Sequence, residues 1–260
     1  MSGTSRLFVV IGVLAFALIA AQQVPRLIPS DFEFENISSQ PGYRLLVRGE
    51  VSQAIDPFVG LGSGDAPLPE SIQNWAAENT CSALFQDPAN KAGESAVRIA
   101  YFTDVQCPFC RVLSGTLSDL AHGADPPVQL SLREFPLFGQ WSEVAAAASL
   151  AAGLQGAHLR FHERLMSVPL RPSKPAIEAI VADLDLDSEK FWKDFESSGL
   201  RQELARHRAI GDLFGIYGTP ALVIGRTIVI GKTSPDDLNR LIEIERGEKN
   251  LDPCSNYRPD

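Results

Sequence analysis

The chain has 260 residues, of which 45% are hydrophobic and 21% charged, and its formal net charge is −9. That composition suits a globular protein with a real core, long enough for one large domain or one domain with a substantial extension. No block of Lys or Arg stands out. Nucleic acid is therefore not expected as a partner, since neutralising phosphates requires clustered cations.

At the amino terminus, Arg6 precedes an apolar run from Leu7 to Ala21, LFVVIGVLAFALIAA. A charged start, an apolar middle and small residues before Gln22 predict an export signal over residues 1–30. A strict small-x-small cleavage site is missing, because Ile19 precedes Ala20 and Ala21. Counted through Val24, the uncharged stretch is about 18 residues, the low edge of a membrane span. A cleaved signal peptide and an uncleaved signal anchor both remain open. Either exports the rest, to the periplasm or another outside compartment, as a soluble or an N-terminally anchored protein. There disulfides persist, and an even set of four cysteines, Cys81, Cys107, Cys110 and Cys254, can pair completely.

Residues 31–90 form a distinct N-terminal extension, with RLLVRGEV as a strand and the Pro- and Gly-rich GLGSGDAPLP at 60–69 as a loop. VRIAYFT, 97–103, reads as a buried strand, and Cys107 to Leu120 as a helix. VQLSLR, 128–133, alternates apolar and polar residues as a half-buried strand does. From Ser142 to Phe214 the pattern is helical, beginning with the Ala-rich EVAAAASLAAGL. Within it Ile177, Ile180, Val181 and Leu184 share a face, with Ser173 and Pro175 suited to that helix's first turn. Leu200, Leu204, Leu213 and Phe214 line another stripe, ended by Gly215. ALVI and TIVI, joined by Gly225-Arg226, predict a tight hairpin. A last helix is expected from Ser234, with Pro235 at its first position and Asp237 completing a cap.

The chemistry concentrates in DVQCPFCRVLSG, 104–115, where Cys107 and Cys110 open a helix. The first thiol then lies where unpaired backbone N–H groups and the positive end of the helix dipole stabilise a thiolate. Only the thiolate attacks disulfides, so a lowered pKa sets both reactivity and leaving-group quality. The second cysteine, one turn on, can close the ring, and Pro108 suits the first turn because its missing N–H had no partner there. A zinc site would need four ligands, usually from a second paired element. Cys81 and Cys254 stand singly, and His158 and His162 in HLRFH lack the Glu of a metalloprotease pair, since Leu159 stands there. The histidines read as helix-packing residues and no metal is expected. A purely structural Cys107–Cys110 bond is weakened by its short loop, which gains little from closure. No cofactor is implied, because the two sulfurs are themselves the redox group.

A strand, CPFC, a helix and the later GTPALVIG at 218–225 together resemble the thioredoxin superfamily. The helical insertion, REFPLFGQWSEVAAAA and FHERLM are similar to its DsbA branch. The resemblance implies an α/β thioredoxin fold over 91–250 with a helical insertion at about 137–214, after the N-terminal extension and before a tail at 251–260. It implies Cys107 as the attacking cysteine, Cys110 as the resolving one, and a cis Pro220. Thr219 and Pro220 would hold substrate backbone beside the sulfurs, with Pro108 and Phe109 also on the substrate-binding surface.

Many relatives carry an acidic residue six positions before the first cysteine, where it relays a proton. Tyr101 stands there, and Asp104 is the nearer carboxylate. Phe109 also replaces the histidine of the best-known oxidant, which predicts a less strongly oxidising disulfide. The expected function is a thiol–disulfide oxidoreductase acting on exported proteins with reduced or mispaired cysteines. A quinone-linked membrane partner would reoxidise it. The alternative is an isomerase or reductase of the same superfamily, dimeric through residues 31–90. Cys81 and Cys254, flanking the domain, are expected to form a structural disulfide, as leftover thiols of exported proteins do.

Overall fold

The computed structural model describes residues 32–48, 67–86, 89–167 and 172–258. The apolar run Leu7–Ala21 and residues 60–66 of the Pro- and Gly-rich stretch lie outside the described residues. Among the described residues no helix is long and apolar enough to cross a membrane.

Two short antiparallel strands come first, β1 (Glu33–Asn36) and β2 (Arg44–Arg48). Helices α1 (Glu70–Glu78) and α2 (Thr80–Phe85) follow. Next are β3 (Val97–Thr103), α3 (Pro108–Ala121) and β4 (Val128–Glu134). The long helical stretch resolves into α4 (Gln140–Gly153), α5 (His158–Ser167), α6 (Lys174–Asp183), α7 (Ser188–Phe195) and α8 (Ser198–Leu213). The hairpin of β5 (Ala221–Ile224) and β6 (Thr227–Ile230) leads into α9 (Pro235–Gly247).

The strands form one mixed sheet in the order β1-β2-β6-β5-β3-β4. β3 runs parallel to β4 and antiparallel to β5, and β2 runs parallel to β6. Successive side chains of β3 point to opposite faces. Ile99 and Tyr101 join Leu130, Leu132, Leu222 and Ile224 under Leu113 and Leu117 of α3 and Leu238 and Leu241 of α9. Ala100 and Phe102 join Val223 and Ile228 on the other face, under Phe85, Ile210 and Phe214. Each large side chain buried this way contributes roughly 1.5–3 kcal/mol. The insertion has its own core, in which Phe161, Leu165, Ile177, Val181 and Phe191 pack on the small Ala145, Ala148 and Ala151 of α4.

Two departures from the sequence pattern have clear causes. β4 is buried on both faces rather than half-buried, with Ser131 and Arg133 1% and 4% exposed. Residues 83–86 and 89–90 lie along its free edge. Ala89 N donates to Leu130 O at 2.6 Å, Leu130 N donates to Asn90 Oδ1 at 2.7 Å, and Arg133 donates to the Ala83 and Gln86 carbonyls. Covering an edge in this way satisfies its backbone and any polar side chain it encloses. The second departure is the N-terminal block, which continues the central sheet. Buried Arg44 of β2 reaches Thr227 Oγ1 at 2.7 Å and Glu245 Oε1 of α9 at 2.6 Å. The same Glu245 accepts from Arg226 N in the hairpin turn, beside Gly225 at φ 53°, where a Cβ would meet its carboxylate at 2.5 Å. Only glycine fits there.

Candidate active site

β3 delivers the chain to the site, and Asp104 fixes the turn that follows. Its carboxylate accepts from Gln106 N and Leu137 N, both at 2.7 Å, and from Ser142 Oγ at 2.8 Å. Burial raises its pKa, and those hydrogen bonds oppose the rise. The loop is thereby tied to the start of the helical insertion. Cys107 is the N-cap of α3, with Pro108 in the first turn. Its Sγ accepts from the Cys110 backbone N–H at 3.4 Å, as an N-cap side chain does. On its other side the Cys107 thiol donates to the Thr219 carbonyl at 3.2 Å.

The Thr219–Pro220 peptide bond is cis, as the resemblance implied. Pro220 is buried and Thr219 half-buried, while Pro108 and Phe109 are exposed. Two further apolar residues lie open to solvent nearby in sequence, Val112 on α3 and Tyr217 before the cis bond. Pattern reading misses both, because an exposed apolar residue at a helix start looks like any other surface position.

The two sulfurs are unlike each other. Cys107 is 2% exposed and Cys110 0%, so what surface the pair has belongs to Cys107. The hydrogen bond from the Cys110 thiol, joined by backbone N–H groups of α3's first turn, lowers the Cys107 pKa to about 6 despite burial. Burial pushes the Cys110 thiol well up, and the neighbouring Cys107 charge adds to the rise. A ready thiolate beside a reluctant one is the arrangement that thiol–disulfide exchange requires.

A family model for the DSBA-like thioredoxin domain matches residues 98–243. The chain belongs to the DsbA-like thioredoxin family. It is a thiol:disulfide oxidoreductase with an α/β thioredoxin fold, a helical insertion and an N-terminal region outside the matched domain. Among solved structures it is similar to a thioredoxin-like oxidoreductase from Silicibacter pomeroyi, at 30% identity and TM-score 0.56, over 64% of this chain and 97% of that one. The catalytic domain of Proteus mirabilis ScsC matches at 25% identity and TM-score 0.56, over 67% of this chain and 98% of that one. The thiol-disulfide exchange protein alpha-DsbA2 from Wolbachia pipientis shares the fold at 21% identity and TM-score 0.58, over 67% of this chain and 95% of that one. No curated protein matches the chain.

Against the DsbA-like pattern, the strand position that many relatives give to an acid holds Tyr101, fully buried. Its hydroxyl donates to the Cys110 carbonyl at 3.1 Å and lies 3.1 Å from Ser114 Oγ. Asp104 meets Cys110 through its backbone, its carboxylate being held elsewhere. Arg111 gives its guanidinium to the Met166 carbonyl of α5. Of the two histidines expected to pack helices, His158 reaches Glu134 at 3.1 Å, and His162 places Nε2 2.9 Å from Ser114 Oγ. Away from the site, Cys81 on α2 is bonded to Cys254 in the tail, with Cα atoms 5.4 Å apart.

Proposed function

We propose that this chain is an exported oxidase that passes a Cys107–Cys110 disulfide to the cysteines of folding proteins. A client thiolate attacks Cys107, Cys110 leaves, and a second client thiol then displaces Cys107 from the mixed disulfide. Thr219, Pro220, Pro108 and Phe109 would form the wall and rim against which client backbone lies. The observation that carries the reading is the asymmetry of the two sulfurs, one stabilised as a thiolate at a helix start and the other sealed beneath it. Stabilising the thiolate stabilises the dithiol, which makes the disulfide oxidising.

Export is supported by the charged and apolar start of residues 1–30 and by the Cys81–Cys254 bond, a linkage that persists in oxidising compartments. Residues 31–90 serve as an extension of domain 91–250, whose insertion spans about 137–214, and residues 251–260 as the tail that the second disulfide ties down. A membrane redox partner linked to quinones would restore the disulfide. The dimeric isomerase alternative is less well supported, because β1, β2, α1 and α2 pack on this same chain.

Equilibration with glutathione buffers tests the direction. The expected potential lies between those of a strong periplasmic oxidant and thioredoxin, about −120 to −270 mV. In parallel assays the protein should oxidise a reduced client faster than it rescues a scrambled one. Faster rescue than oxidation would contradict the proposal, and a potential equal to or above the strong oxidant's would contradict the milder disulfide expected from Phe109.

A further inference from the structure

Cys110 is fully buried, so the charge it takes when the active-site disulfide opens has no water around it. A strand carboxylate cannot help, because Tyr101 stands there. Three elements instead send polar groups to one point. Tyr101 of β3 donates to the Cys110 carbonyl, and its phenol also faces the Cys110 thiol. Ser114 of α3, one turn past Cys110, meets the Tyr101 oxygen at 3.1 Å, and His162 of α5 meets Ser114 at 2.9 Å. All three side chains are buried, and the His162 ring stands edge-on to Tyr101 at 6.1 Å.

The hydrogens have one consistent arrangement. A carbonyl only accepts, so Tyr101 donates to it, Ser114 donates to Tyr101, and His162 Nε2–H donates to Ser114. Nδ1 is then the bare nitrogen, and among the described residues it has no hydrogen-bond partner. Burial keeps the ring neutral, lowering its pKa to about 4. Three donors therefore point in series at Cys110, each polarising the next in a dry environment.

We propose that Tyr101, backed by Ser114 and His162, forms a donor chain that stabilises the Cys110 thiolate in place of the absent carboxylate. The inference rests on the exchange reaction proposed above. When a client thiolate attacks Cys107 Sγ, the Cys107–Cys110 bond breaks and its electron pair passes to Cys110 Sγ. The Tyr101 O–H then turns from the carbonyl to that sulfur. One disulfide breaks and one forms, and the protons lost by the two client thiols return through solvent to the enzyme's dithiol. In the opposite direction the same chain eases ionisation of Cys110 for its attack on a mixed disulfide at Cys107. Tyr101 touches the reacting residue, while Ser114 and His162 are positioning residues. The titratable groups facing the chain are Cys107 beside Cys110, and Glu134 and His158 beside His162.

The test mixes reduced protein with an aromatic disulfide whose released thiolate absorbs visible light. The first release reports attack by Cys107, and the second reports displacement by Cys110. Tyr101→Phe should leave the first phase intact, which also shows that the variant is folded. It should slow the second about ten-fold and move its pH midpoint up by about one unit. Ser114→Ala and His162→Leu should slow the second phase less, and His162→Gln, which keeps a donor, should restore it. An unchanged second phase in Tyr101→Phe overturns the donor chain. Equal losses in His162→Gln and His162→Leu overturn it as well. Failure of the exchange reading looks different, because the first phase would then be missing from the unaltered protein.

Discussion

The chain uses the same side chain for two opposite ends. Cys81 and Cys254 join positions 173 residues apart, and the Cys254 sulfur lies 3.1 Å from the buried Tyr43 hydroxyl. Near the tail a part-buried Arg98–Asp252 ion pair, at 2.6 Å, holds the segment against β3. Cys107 and Cys110 enclose two residues at a helix start, where one sulfur accepts backbone hydrogen bonds and meets a carbonyl. Loop length governs what a bond does for the fold, and local charge and hydrogen bonding govern how readily it exchanges. The long-range pair is therefore assigned to stability and the short-range pair to chemistry.

The sharpest break of that division is to remove the long-range bond. Replacing Cys81 and Cys254 together by Ser should lower the unfolding free energy by about 2–5 kcal/mol in denaturant titrations. The Cys107–Cys110 potential should stay where it was. A potential that moves with the substitution would mean that the two regions are coupled.

A smaller effect separates the pairs by pH. In the dithiol form, alkylation of Cys107 should rise with pH through a midpoint of about 6, whereas an ordinary thiol titrates near about 8.5. Because the folded value is the lower one, the dithiol form gains stability as pH rises from about 6 towards the unfolded thiol value. That gain is lost as pH falls back through about 6. The protein with Cys107→Ser should lose this dependence, and stability measured across that range checks it.

The smallest expected change is electrostatic. Phe109→His puts a titratable ring beside Cys107 and should make the pair more oxidising by on the order of 30 mV, with a lower alkylation midpoint. No change in either quantity would leave the dipeptide without a part in setting the potential.

Features set by short-range pattern were legible in the sequence. β3 has the bounds of VRIAYFT, and the β5–β6 hairpin turns at Gly225-Arg226. Ser173 and Ser234 cap their helices by accepting from Ala176 N and Asp237 N. Features that depend on distant contacts were not. VQLSLR alternates like a half-exposed strand, yet Ala83, Gln86, Ala89 and Asn90 cover its edge, and nothing local in VQLSLR signals that cover. The docking of β2 beside β6 follows from Arg44 meeting Glu245, two residues 201 positions apart. At the site, the Cys107–Cys110 pair stands out by its own spacing, whereas the cis bond at Pro220 was implied only by the family resemblance, since local sequence carries no mark of the isomer. His162 looked like a packing residue, since only the fold brings it to Ser114, 48 positions earlier.

The most direct test of the exchange chemistry is to trap it. Reduced protein carrying Cys110→Ser, mixed with a peptide disulfide, should hold the peptide on Cys107 as a stable adduct that peptide mapping by mass spectrometry locates. No adduct on Cys107, or equal labelling when Cys107 is also replaced by Ser, would contradict the account.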